Sequence, residues 1–459
     1  MTYDLVVLGA GPGGFDAAVA AAGHGLKVAL VEKGFLGGTC LNRGCIPTKL
    51  WLGATSAIDE LHNQARMKVA SGEVKVDFPA LQGRVAKHLA GTRKAMAMQL
   101  GKLGVELVEG FGRLAGEGAV EVETTDGIKT PDGVRTLKCA NIVIATGSRP
   151  IFFPGLEPDG KCVLDSDMFL AMETMPASLI VVGAGFIGLE MAQVAHRFGA
   201  RVTVIDAMDR VAPLEDPEIS KALQSTFKRW KWDVLLEKRV SGVRTVDDQG
   251  ELTMDTGEKY TADIILVAVG RGPVTDGLGL DSVGIKTPMR RIEVDEHLRA
   301  APGIHAVGDV NGIIQLAHAA SHQGHYVAAL VAGKTDAPYD SGPVPSVLYG
   351  APEVMRVGRM ENEVHLADEE CEVSLAQLAA NPMAQAHAAT QGFVKVIWAK
   401  GRVAGVTAVG HDVSRLTTPA TMIVRQGWTA HDLHSIVFPH PSLDESLLAA
   451  LQAERIPVE

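Results

Sequence analysis

A glycine-rich strand–turn–helix pattern occurs twice in this chain, and it restricts the fold more than any other feature. In the first copy, an apolar strand at residues 4–8 is followed by a glycine turn, a helix through about residue 24 and a second strand at residues 27–31. The second copy repeats the strand, turn, helix and strand between residues 179 and 205. Strands that alternate with helices in this way predict parallel sheets covered by helices, and two copies predict two such domains.

The first turn reads Gly-Ala-Gly-Pro-Gly-Gly and places Gly9, Gly11 and Gly14 at the three positions of the GxGxxG dinucleotide-binding pattern. The first glycine allows the tight turn, the second lets a pyrophosphate approach the backbone, and the third lets the helix pack closely on the strand. The amides at the helix N-terminus then hold the phosphates. Glu32, at the end of the second strand, is placed to accept a hydrogen bond from a ribose hydroxyl. The glycines alone are a weak signal, but strand, helix and acidic residue together predict a dinucleotide site.

The second turn carries the same pattern at Gly183, Gly185 and Gly188, and Asp206 ends the strand that follows. Two fingerprints predict two dinucleotides, most simply FAD and a nicotinamide cofactor, and a duplicated fold without ligands is the alternative. A carboxylate at position 206 favours NAD over NADP, because it hydrogen-bonds a free 2′-hydroxyl and repels a 2′-phosphate. Arg210 lies nearby in sequence and could favour NADP, but we predict NAD.

Length, charge and cysteine content restrict the class of protein. A chain of 459 residues exceeds a single hydrophobic core and predicts about three domains. A formal net charge of −11 argues against nucleic acid and anionic membranes as partners, because both attract basic surfaces. No stretch has the character of a membrane span, and the N-terminus has no basic segment typical of a secretory signal. Five cysteines are too few for a disulfide scaffold, so we expect a cytoplasmic protein.

Two of the cysteines, Cys40 and Cys45, lie close together in a segment that reads Gly-Gly-Thr-Cys-Leu-Asn-Arg-Gly-Cys-Ile-Pro. Five residues of undistorted helix rise about 7.5 Å, whereas bridged cysteines have Cα atoms roughly 4.4–6.8 Å apart. A disulfide between them therefore needs a break in the helix, and Gly44 offers one. Two unrelated buried thiols, or half of a zinc site, are the alternatives, but no second Cys/His pair has matching spacing, and no metal site is predicted. We expect the remaining cysteines to be small core residues: Cys139, Cys162 and Cys371.

The segment from residue 37 to residue 49 is similar to the redox-active signature of the flavoprotein pyridine-nucleotide disulfide oxidoreductases, and it most resembles the dihydrolipoamide dehydrogenases among them. The resemblance covers essentially the whole chain, including both fingerprints, Ala-Val-Gly-Asp at residues 306–309 and His-Pro-x-x-x-Glu at residues 440–445. It implies a redox-active disulfide between Cys40 and Cys45. Cys45 would face the flavin, and Cys40 would meet the substrate.

The resemblance also assigns two pairs of charged residues. Lys49 looks like the family lysine beside the flavin, paired with Glu190, and a cation there stabilises the reduced, anionic flavin. His440 resembles the family's catalytic base, which takes a proton from a dithiol sulfur, and Glu445 resembles the carboxylate that orients it. In the family this segment reaches the partner subunit, which implies a homodimer. Pro441 additionally predicts that a helix starts at that point.

Further cofactor contacts follow from the family pattern rather than from the residue types themselves. Asp309 resembles the aspartate that binds the ribitol of FAD. The other residues implied to bind FAD or the nicotinamide cofactor are Gly112, Thr146, Gly147, Ala317, Val240 and Gly270.

Three segments of the last domain depart from the family pattern. The histidine that usually stands before the terminal His-Pro is absent at residues 438–439. The usual Thr-His-Pro-Glu is Gly-Ala-Pro-Glu at residues 350–353, and a stretch usually rich in Gly and Pro reads Gly-His-Asp at residues 410–412. These departures leave the flavin chemistry intact and bear on the choice of dithiol substrate.

We therefore predict an α/β fold with two Rossmann-like dinucleotide-binding domains and a C-terminal α+β dimerisation domain. The predicted FAD-binding part consists of residues 1–146 and 271–339, the NAD-binding domain of residues 147–270 and the interface domain of residues 340–459. The predicted reaction is the NAD-dependent oxidation of dihydrolipoyl groups on a carrier protein, either a 2-oxoacid dehydrogenase core or a glycine-cleavage carrier. The alternatives are a glutathione-reductase-like enzyme, against which Asp206 argues, and a non-catalytic FAD-binding interaction protein.

Overall fold

A computed structural model describes residues 2–124 and 133–458, and the chain divides into two compact units. The first unit consists of Met1–Pro47, Gln82–Ile151 and Gly270–Ser341. The second consists of Thr48–Leu81, Phe152–Val269 and Gly342–Glu459. Among the helices described, none is both long enough and apolar enough to cross a membrane.

The strands in chain order are β1 Thr2–Leu8, β2 Val28–Glu32, β3 Glu106–Leu114, β4 Ala119–Thr124, β5 Val134–Ile144, β6 Ser148–Pro150, β7 Val163–Leu164, β8 Ser178–Val182, β9 Arg201–Ile205, β10 Asp233–Leu235, β11 Val240–Val246, β12 Gln249–Met254, β13 Lys259–Ala262, β14 Ile264–Val267, β15 Arg271–Pro273, β16 Arg299–Ala301, β17 Ile304–Ala306, β18 Ser346–Leu348, β19 Glu353–Gly358, β20 Cys371–Gln377, β21 Phe393–Ala399, β22 Arg402–Gly410 and β23 Ile456–Pro457. The α-helices are α1 Pro12–Gly23, α2 Gly38–Arg43, α3 Cys45–Arg66, α4 Phe78–Lys102, α5 Ser166–Leu170, α6 Phe186–Arg197, α7 Pro217–Arg229, α8 Ala317–Val331, α9 Glu361–Leu366, α10 Pro382–Ala386, α11 Thr417–Gln426 and α12 Asp444–Gln452.

The main sheet of the first unit is built around β1, which pairs in parallel with β2 on one side and with β5 on the other. β3 continues the parallel pairing beyond β2, and β17 continues it beyond β5. The run of apolar residues in β1 is buried, as expected for a strand covered on both faces. α1 and α8 pack closely against each other, since a Cβ added to Gly324 would lie 2.3 Å from the carbonyl oxygen of Gly13.

The second unit contains three separate sheets. The first is parallel, in the order β10-β9-β8-β14-β7, and it carries the second glycine turn between β8 and α6. A small antiparallel sheet of β11, β12 and β13 follows. The third sheet is antiparallel, in the order β18-β19-β22-β21-β20-β23, and its core includes residues of α11 and α12. The α/β class with two glycine-turn βαβ units and a C-terminal α+β part is therefore confirmed.

One sequence prediction about the C-terminal part is wrong. The helix predicted to start at Pro441 begins at Asp444, because the amide of Ser442 donates to the Glu445 carboxylate and the residues before it form a turn.

Candidate active site

The first glycine turn has the geometry that the fingerprint requires. Gly9 has a φ of +99°, and a Cβ at this position would lie 2.5 Å from the carbonyl oxygen of Ala145. A Cβ at Gly14 would lie 1.9 Å from the carbonyl oxygen of Gly9. Gly11 is the N-cap of α1, and no side chain caps that helix end. The first amides of α1 are therefore not capped by a side chain and can bind an anion such as a pyrophosphate.

Glu32 lies beside this turn. Its Oε2 accepts from the amide of Ala10 at 2.7 Å, and its Oε1 accepts from the amide of Gly34 at 2.8 Å. These two bonds hold the carboxylate at the end of β2. A carboxylate can accept about four hydrogen bonds, so capacity for a ribose hydroxyl remains.

A cleft of about 280 Å³ opens next to Glu32. The guanidinium carbon of Arg93 lies 4.4 Å from the ring centroid of Phe35 at this cleft. The full lining consists of Glu32, Gly34, Phe35, Leu36, Arg93, Lys94, Ala97, Leu107 and Glu109. An uncapped helix N-terminus, a glycine turn that excludes side chains and an adjacent cleft fit a dinucleotide such as FAD.

The second glycine turn repeats this construction. Gly183 has a φ of +111°, and its added Cβ would lie 2.3 Å from the carbonyl oxygen of Ala268. A Cβ at Gly188 would lie 2.3 Å from the carbonyl oxygen of Gly183. This contact corresponds to the one between Gly14 and Gly9 in the first copy. Gly185 is the N-cap of α6, again without a side-chain cap. The predicted duplication therefore extends from the glycine spacing to the backbone geometry.

Asp206 occupies the position that Glu32 has in the first unit. Its Oδ2 accepts from the amide of Ala184 at 2.6 Å, and its Oδ1 accepts from the amide of Met208 at 2.8 Å. The guanidinium of Arg210 donates to the carbonyl oxygen of Pro213 at 3.4 Å. The carboxylate thus stands at the end of β9 beside the fingerprint, which is the arrangement that favours a free 2′-hydroxyl.

The two cysteines stand on either side of a break between two helices. Cys40 lies within α2, α2 ends at Arg43, and α3 begins at Cys45. Gly44 separates the helices with φ −153° and ψ −112°, which are not helical values. The predicted interruption of the helix at Gly44 is therefore confirmed. Both cysteines are half-buried.

The segment that precedes Cys40 is held against the first glycine turn. The amide of Gly37 donates to the carbonyl oxygen of Ala10 at 2.8 Å. Gly38 has a φ of +54°, and a Cβ at this position would lie only 2.7 Å from the Cα of Gly11. This close contact requires glycine at position 38, whereas a Cβ at Gly11 would lie 4.0 Å from the Cα of Gly38. It brings the cysteine segment directly beside the turn that would hold a pyrophosphate.

Asn42, between the two cysteines, stabilises the same segment. Its Nδ2 donates to the carbonyl oxygens of Leu36 at 2.9 Å and Gly38 at 2.8 Å. Its Oδ1 accepts from Nη1 of Arg93 at 3.0 Å. The sequence carries no local signal for Arg93, because the position of this residue is defined only by the packing of α4.

Lys49 and Glu190 form a salt bridge, with Nζ 2.7 Å from Oε2. Glu190 is buried, and its Oε1 accepts from the amide of Tyr349 at 3.0 Å. Burial raises the pKa of the Glu190 carboxyl, while the ammonium of Lys49 and the amide of Tyr349 act in the opposite direction. The Lys49 Nζ also lies 4.9 Å from the ring centroid of Tyr349. The predicted pairing of Lys49 with Glu190 is observed. Tyr349 contacts both residues, and no local sequence pattern indicates it.

His440 and Glu445 are also brought together. Nδ1 of His440 lies 2.9 Å from Oε1 of Glu445, and Oε2 of Glu445 accepts from the amide of Ser442 at 2.9 Å. The hydrogen bond to His440, and next that from Ser442, lowers the pKa of the Glu445 carboxyl. The His440 side chain is 73% exposed. An oriented imidazole that faces solvent is suited to accept a proton from a group outside this unit.

The remaining predicted ligands occupy several places in the fold. Oδ2 of Asp309 accepts from Oγ of Ser148 at 2.5 Å, and Thr146 Oγ1 donates to the carbonyl oxygen of Val274 at 2.7 Å. Ser148 was not predicted, although it directly follows the Ala-Thr-Gly of residues 145–147. The others lie in β3, before β6, after β14, at the start of β11 and at the start of α8: Gly112, Gly147, Gly270, Val240 and Ala317.

Gln193 explains one of the departures from the family pattern. Its Oε1 accepts from the amide of Ala351 at 2.8 Å. A Cβ on Gly350 would lie 2.2 Å from the same Oε1 atom, and Gly350 has a φ of +134°. The usual threonine at this position would therefore have to displace the amide group of the buried Gln193 side chain and adopt a positive φ that L residues rarely adopt.

The other three cysteines differ in environment. Cys139 and Cys371 are buried, as predicted. Burial raises the pKa of the Cys139 thiol to about 11, so this residue is unreactive as a thiolate. Cys162 is half-buried, so its prediction as a core residue is wrong, because it lies at the edge of its sheet beside the two-residue strand β7.

Comparisons with known proteins agree with this geometry. Residues 3–324 match the pyridine nucleotide-disulphide oxidoreductase family, and residues 344–451 match the dimerisation domain of pyridine nucleotide-disulphide oxidoreductases. A dihydrolipoyl dehydrogenase from Chlorobaculum parvum is 38% identical over 464 residues, which cover 98% of this chain and 98% of that protein. A dihydrolipoyl dehydrogenase from Bacillus subtilis is 36% identical, again over 98% of both chains.

A solved structure extends the similarity to the fold. The crystal structure of LpdA from Mycobacterium tuberculosis superposes with a TM-score of 0.89 at 27% identity, and it covers 98% of both chains. The resemblance inferred from the cysteine segment and the two fingerprints is therefore confirmed over the full chain. The chain belongs to the pyridine nucleotide-disulphide oxidoreductase family.

Proposed function

We propose that this protein is a dihydrolipoyl dehydrogenase that oxidises dihydrolipoyl groups with NAD through a redox disulfide between Cys40 and Cys45. The observation that carries the proposal is the position of the cysteine segment, whose Gly38 lies against Gly11 of the first fingerprint. Relatives named dihydrolipoyl dehydrogenase, matched over 98% of the chain, support the same activity.

The proposed reaction has two halves. In the first, a substrate thiolate attacks the sulfur of Cys40, the Cys40–Cys45 bond breaks, and the second substrate sulfur displaces Cys40, which leaves the lipoyl disulfide and an enzyme dithiol. In the second, the enzyme disulfide forms again and NAD is reduced to NADH. FAD held by the first fingerprint and Asp309 would supply the two-electron carrier between the dithiol and NAD.

The charged pairs have separate tasks in this proposal. His440 accepts the proton of the attacking dithiol, and Glu445 keeps its ring oriented through the 2.9 Å contact at Nδ1. Lys49, paired with Glu190, supplies positive charge beside the flavin. Asp309 and the first fingerprint hold FAD, and the second fingerprint with Asp206 holds NAD.

The proposed oligomeric state follows from the same family resemblance. We propose a homodimer in which His440 of one protomer serves the cysteines of the other, in line with the dimerisation-domain match at residues 344–451. A lipoylated carrier protein would be the substrate partner. The FAD, NAD and interface segments predicted from the sequence, and the cytoplasmic location, remain predictions.

Turnover measurements test the substrate and the acceptor together. NAD and NADP are each supplied with free dihydrolipoamide or with reduced glutathione, and we expect the highest kcat/KM for dihydrolipoamide with NAD. Failure with dihydrolipoamide, together with turnover of another dithiol, would contradict the lipoyl assignment and leave the disulfide chemistry intact.

Cysteine variants test the proposed electron transfer through Cys40 and Cys45. Partial reduction by NADH is expected to produce a long-wavelength absorption band in the native protein, and Cys45→Ser is expected to abolish it. Cys162→Ser is the matched control, because this cysteine is also half-buried but lies in a different part of the fold. A band that persists in Cys45→Ser would contradict the assignment of Cys45 as the flavin-facing sulfur.

A further inference from the structure

Three side chains outside the proposed catalytic groups converge on one point of the second unit. They are Glu60 on α3, His387 immediately after α10 and His411 in the turn after β22. Each offers one ligand atom, and these three atoms all lie within 4.8 Å of one another. All three side chains are half-buried, so an ion could reach them from solvent.

The distance between two of the three donor atoms matches a tetrahedral metal centre. Zinc binds histidine nitrogen at about 2.0–2.1 Å and carboxylate oxygen at about 2.0–2.2 Å, so neighbouring donors of a tetrahedron lie roughly 3.3 Å apart. Nδ1 of His387 lies 3.3 Å from Oε1 of Glu60, which is longer than an ordinary N–H···O hydrogen bond. The rings of His387 and His411 are neighbours, with centroids 4.7 Å apart. A small rotation of these half-buried side chains would complete three zinc bonds.

The surroundings support a cation at this point. Nε2 of Gln64 lies 3.3 Å from Oε1 of Glu60 and donates to the carbonyl oxygen of Ala386 at 3.1 Å, so it ties the carboxylate to the residue that precedes His387. Such outer contacts orient metal ligands. Oδ1 of Asp412 lies 3.8 Å from Nε2 of His411 and adds negative charge beside the site.

We propose that Glu60, His387 and His411 form a zinc site, with water as the fourth ligand. Two imidazoles and one carboxylate are a ligand set that zinc uses with an open fourth position. The ion would join α3 to the loop after α10 and to the turn after β22. α3 begins at Cys45, one of the redox cysteines. Zinc would therefore fix this helix at Glu60, about 22 Å along the helix axis from Cys45.

One ligand of this site lies in a segment that departs from the family pattern. His411 belongs to the Gly-His-Asp segment at residues 410–412, where the family usually has a stretch rich in Gly and Pro. Spacing alone did not predict the site, because Glu60 lies 327 positions before His387 and only folding brings the two together.

Titration calorimetry with zinc chloride tests the proposal. The full-length, FAD-loaded and oxidised protein is used without an affinity tag or reductant, so that neither added histidines nor a reduced dithiol binds the ion. We expect one zinc ion per chain and a rise in melting temperature on the order of 2–5 °C at saturating zinc. The His387→Ala and His411→Ala variants are each expected to lose about 100-fold or more in zinc affinity, and Gln64→Ala about 10-fold.

Two controls keep the result interpretable. His434→Ala removes an exposed histidine from another histidine pair of the same unit, whose ring centroids lie 6.2 Å apart, and it should leave zinc binding unchanged. Cys40→Ser/Cys45→Ser removes the redox thiols and should retain the zinc site. The melting temperature of each variant without zinc reports whether it folds. Absence of zinc binding by the native protein, or unchanged binding in the folded His387→Ala/His411→Ala protein, would overturn the proposal.

Discussion

The Nζ atom of Lys49 lies 2.7 Å from Oε2 of Glu190, and the two side chains differ in exposure. The Glu190 side chain is 6% exposed, whereas that of Lys49 is 34% exposed. The second oxygen of Glu190 is bound to the amide of Tyr349. The buried carboxylate therefore holds a partly exposed ammonium in one position.

Neutralising either member of this pair should shift the flavin potential, in opposite directions. Glu190→Gln removes a negative charge and should make the potential more positive, because the ammonium then stabilises the anionic reduced flavin without compensation. Lys49→Met should make the potential more negative, with about 30 mV corresponding to roughly 1.4 kcal/mol for this two-electron couple. Spectroelectrochemical titration measures both values.

A surface carboxylate provides the control for this prediction. Glu251→Gln removes a charge that pairs with Arg244 and Lys259 elsewhere in the second unit, and the potential should not change. Shifts of the same sign in Glu190→Gln and Lys49→Met would contradict the placement of this pair beside the flavin.

Glu445 should orient His440 rather than take part in proton transfer. Replacing the base by His440→Gln is expected to lower kcat/KM by about 10²–10⁴-fold. Glu445→Gln keeps an oxygen near Nδ1 but removes its charge, so we expect a smaller decrease. Asp444→Asn removes the neighbouring carboxylate of the same helix start and should have little effect. Equal decreases in Glu445→Gln and Asp444→Asn would argue against the orienting role.

The same pair should respond to acid in a defined direction. The pKa of Glu445 is lowered in the folded protein, first by His440 and then by the amide of Ser442. Its contribution to stability is therefore present above the unfolded pKa of about 4.3 and is lost as the pH falls through the lower folded pKa. Native protein should lose more stability than Glu445→Gln when the pH falls below about 4, as followed by urea unfolding.

Gly38 should not tolerate a side chain. Gly38→Ala would put a methyl group 2.7 Å from the Cα of Gly11 at a φ of +54°. The left-handed conformation alone costs about 1–2 kcal/mol for a residue with a Cβ, and the contact with the fingerprint adds to it. We expect weaker retention of FAD during gel filtration and a lower free energy of unfolding.

Gly53 in the middle of α3 is the matched control. Nothing lies within 4 Å of a Cβ added there, so Gly53→Ala should raise stability by about 0.5–1 kcal/mol, the ordinary preference of a helix interior for alanine. Full retention of FAD by Gly38→Ala would show that the cysteine segment does not depend on its contact with Gly11.

Lys395 should stabilise the second unit through charge. This residue of β21 is only 2% exposed, and its Nζ lies 2.5 Å from Asp216, 2.5 Å from Glu361 and 2.9 Å from Glu218. Lys395→Met would leave the buried Asp216 without its cation and should cost about 3–5 kcal/mol. Lys400→Met, which removes an ammonium that is 68% exposed, should change stability little.

The contribution of Lys395 should also depend on pH. Burial lowers the pKa of its ammonium, but hydrogen bonds to Asp216, Glu361 and Glu218 outweigh burial and raise the pKa above the ordinary value. The stability it contributes is complete below the unfolded pKa of about 10.4 and is lost as the pH rises through the folded pKa. The difference in unfolding free energy between native protein and Lys395→Met should therefore be full at pH 8 and smaller at pH 11.

Several parts of the site follow from local sequence. The two glycine turns require glycine for reasons of backbone geometry within about six residues, and the acidic residue stands at the end of the next strand in each copy. The break between α2 and α3 follows from the spacing of Cys40 and Cys45 and from Gly44. His440 and Glu445 are five positions apart, so their contact is also a local property.

The rest was decided by tertiary structure, because it depends on residues that are distant in the chain. Tyr349 reaches Glu190, and Gln193 accepts from the amide of Ala351, only after the C-terminal sheet and α6 are assembled. Glu60 and His387 lie within 3.3 Å of each other although α3 and α10 are far apart in sequence.

The sequence by itself determined the two glycine turns, the helix break between the two cysteines and the family, since each is encoded within a short segment whose backbone has few alternatives. Tertiary structure alone decided which side chains support those segments and where a metal ion could bind. The physical reason is that burial and long-range packing set the distances between charged groups, and neither is visible in residue spacing.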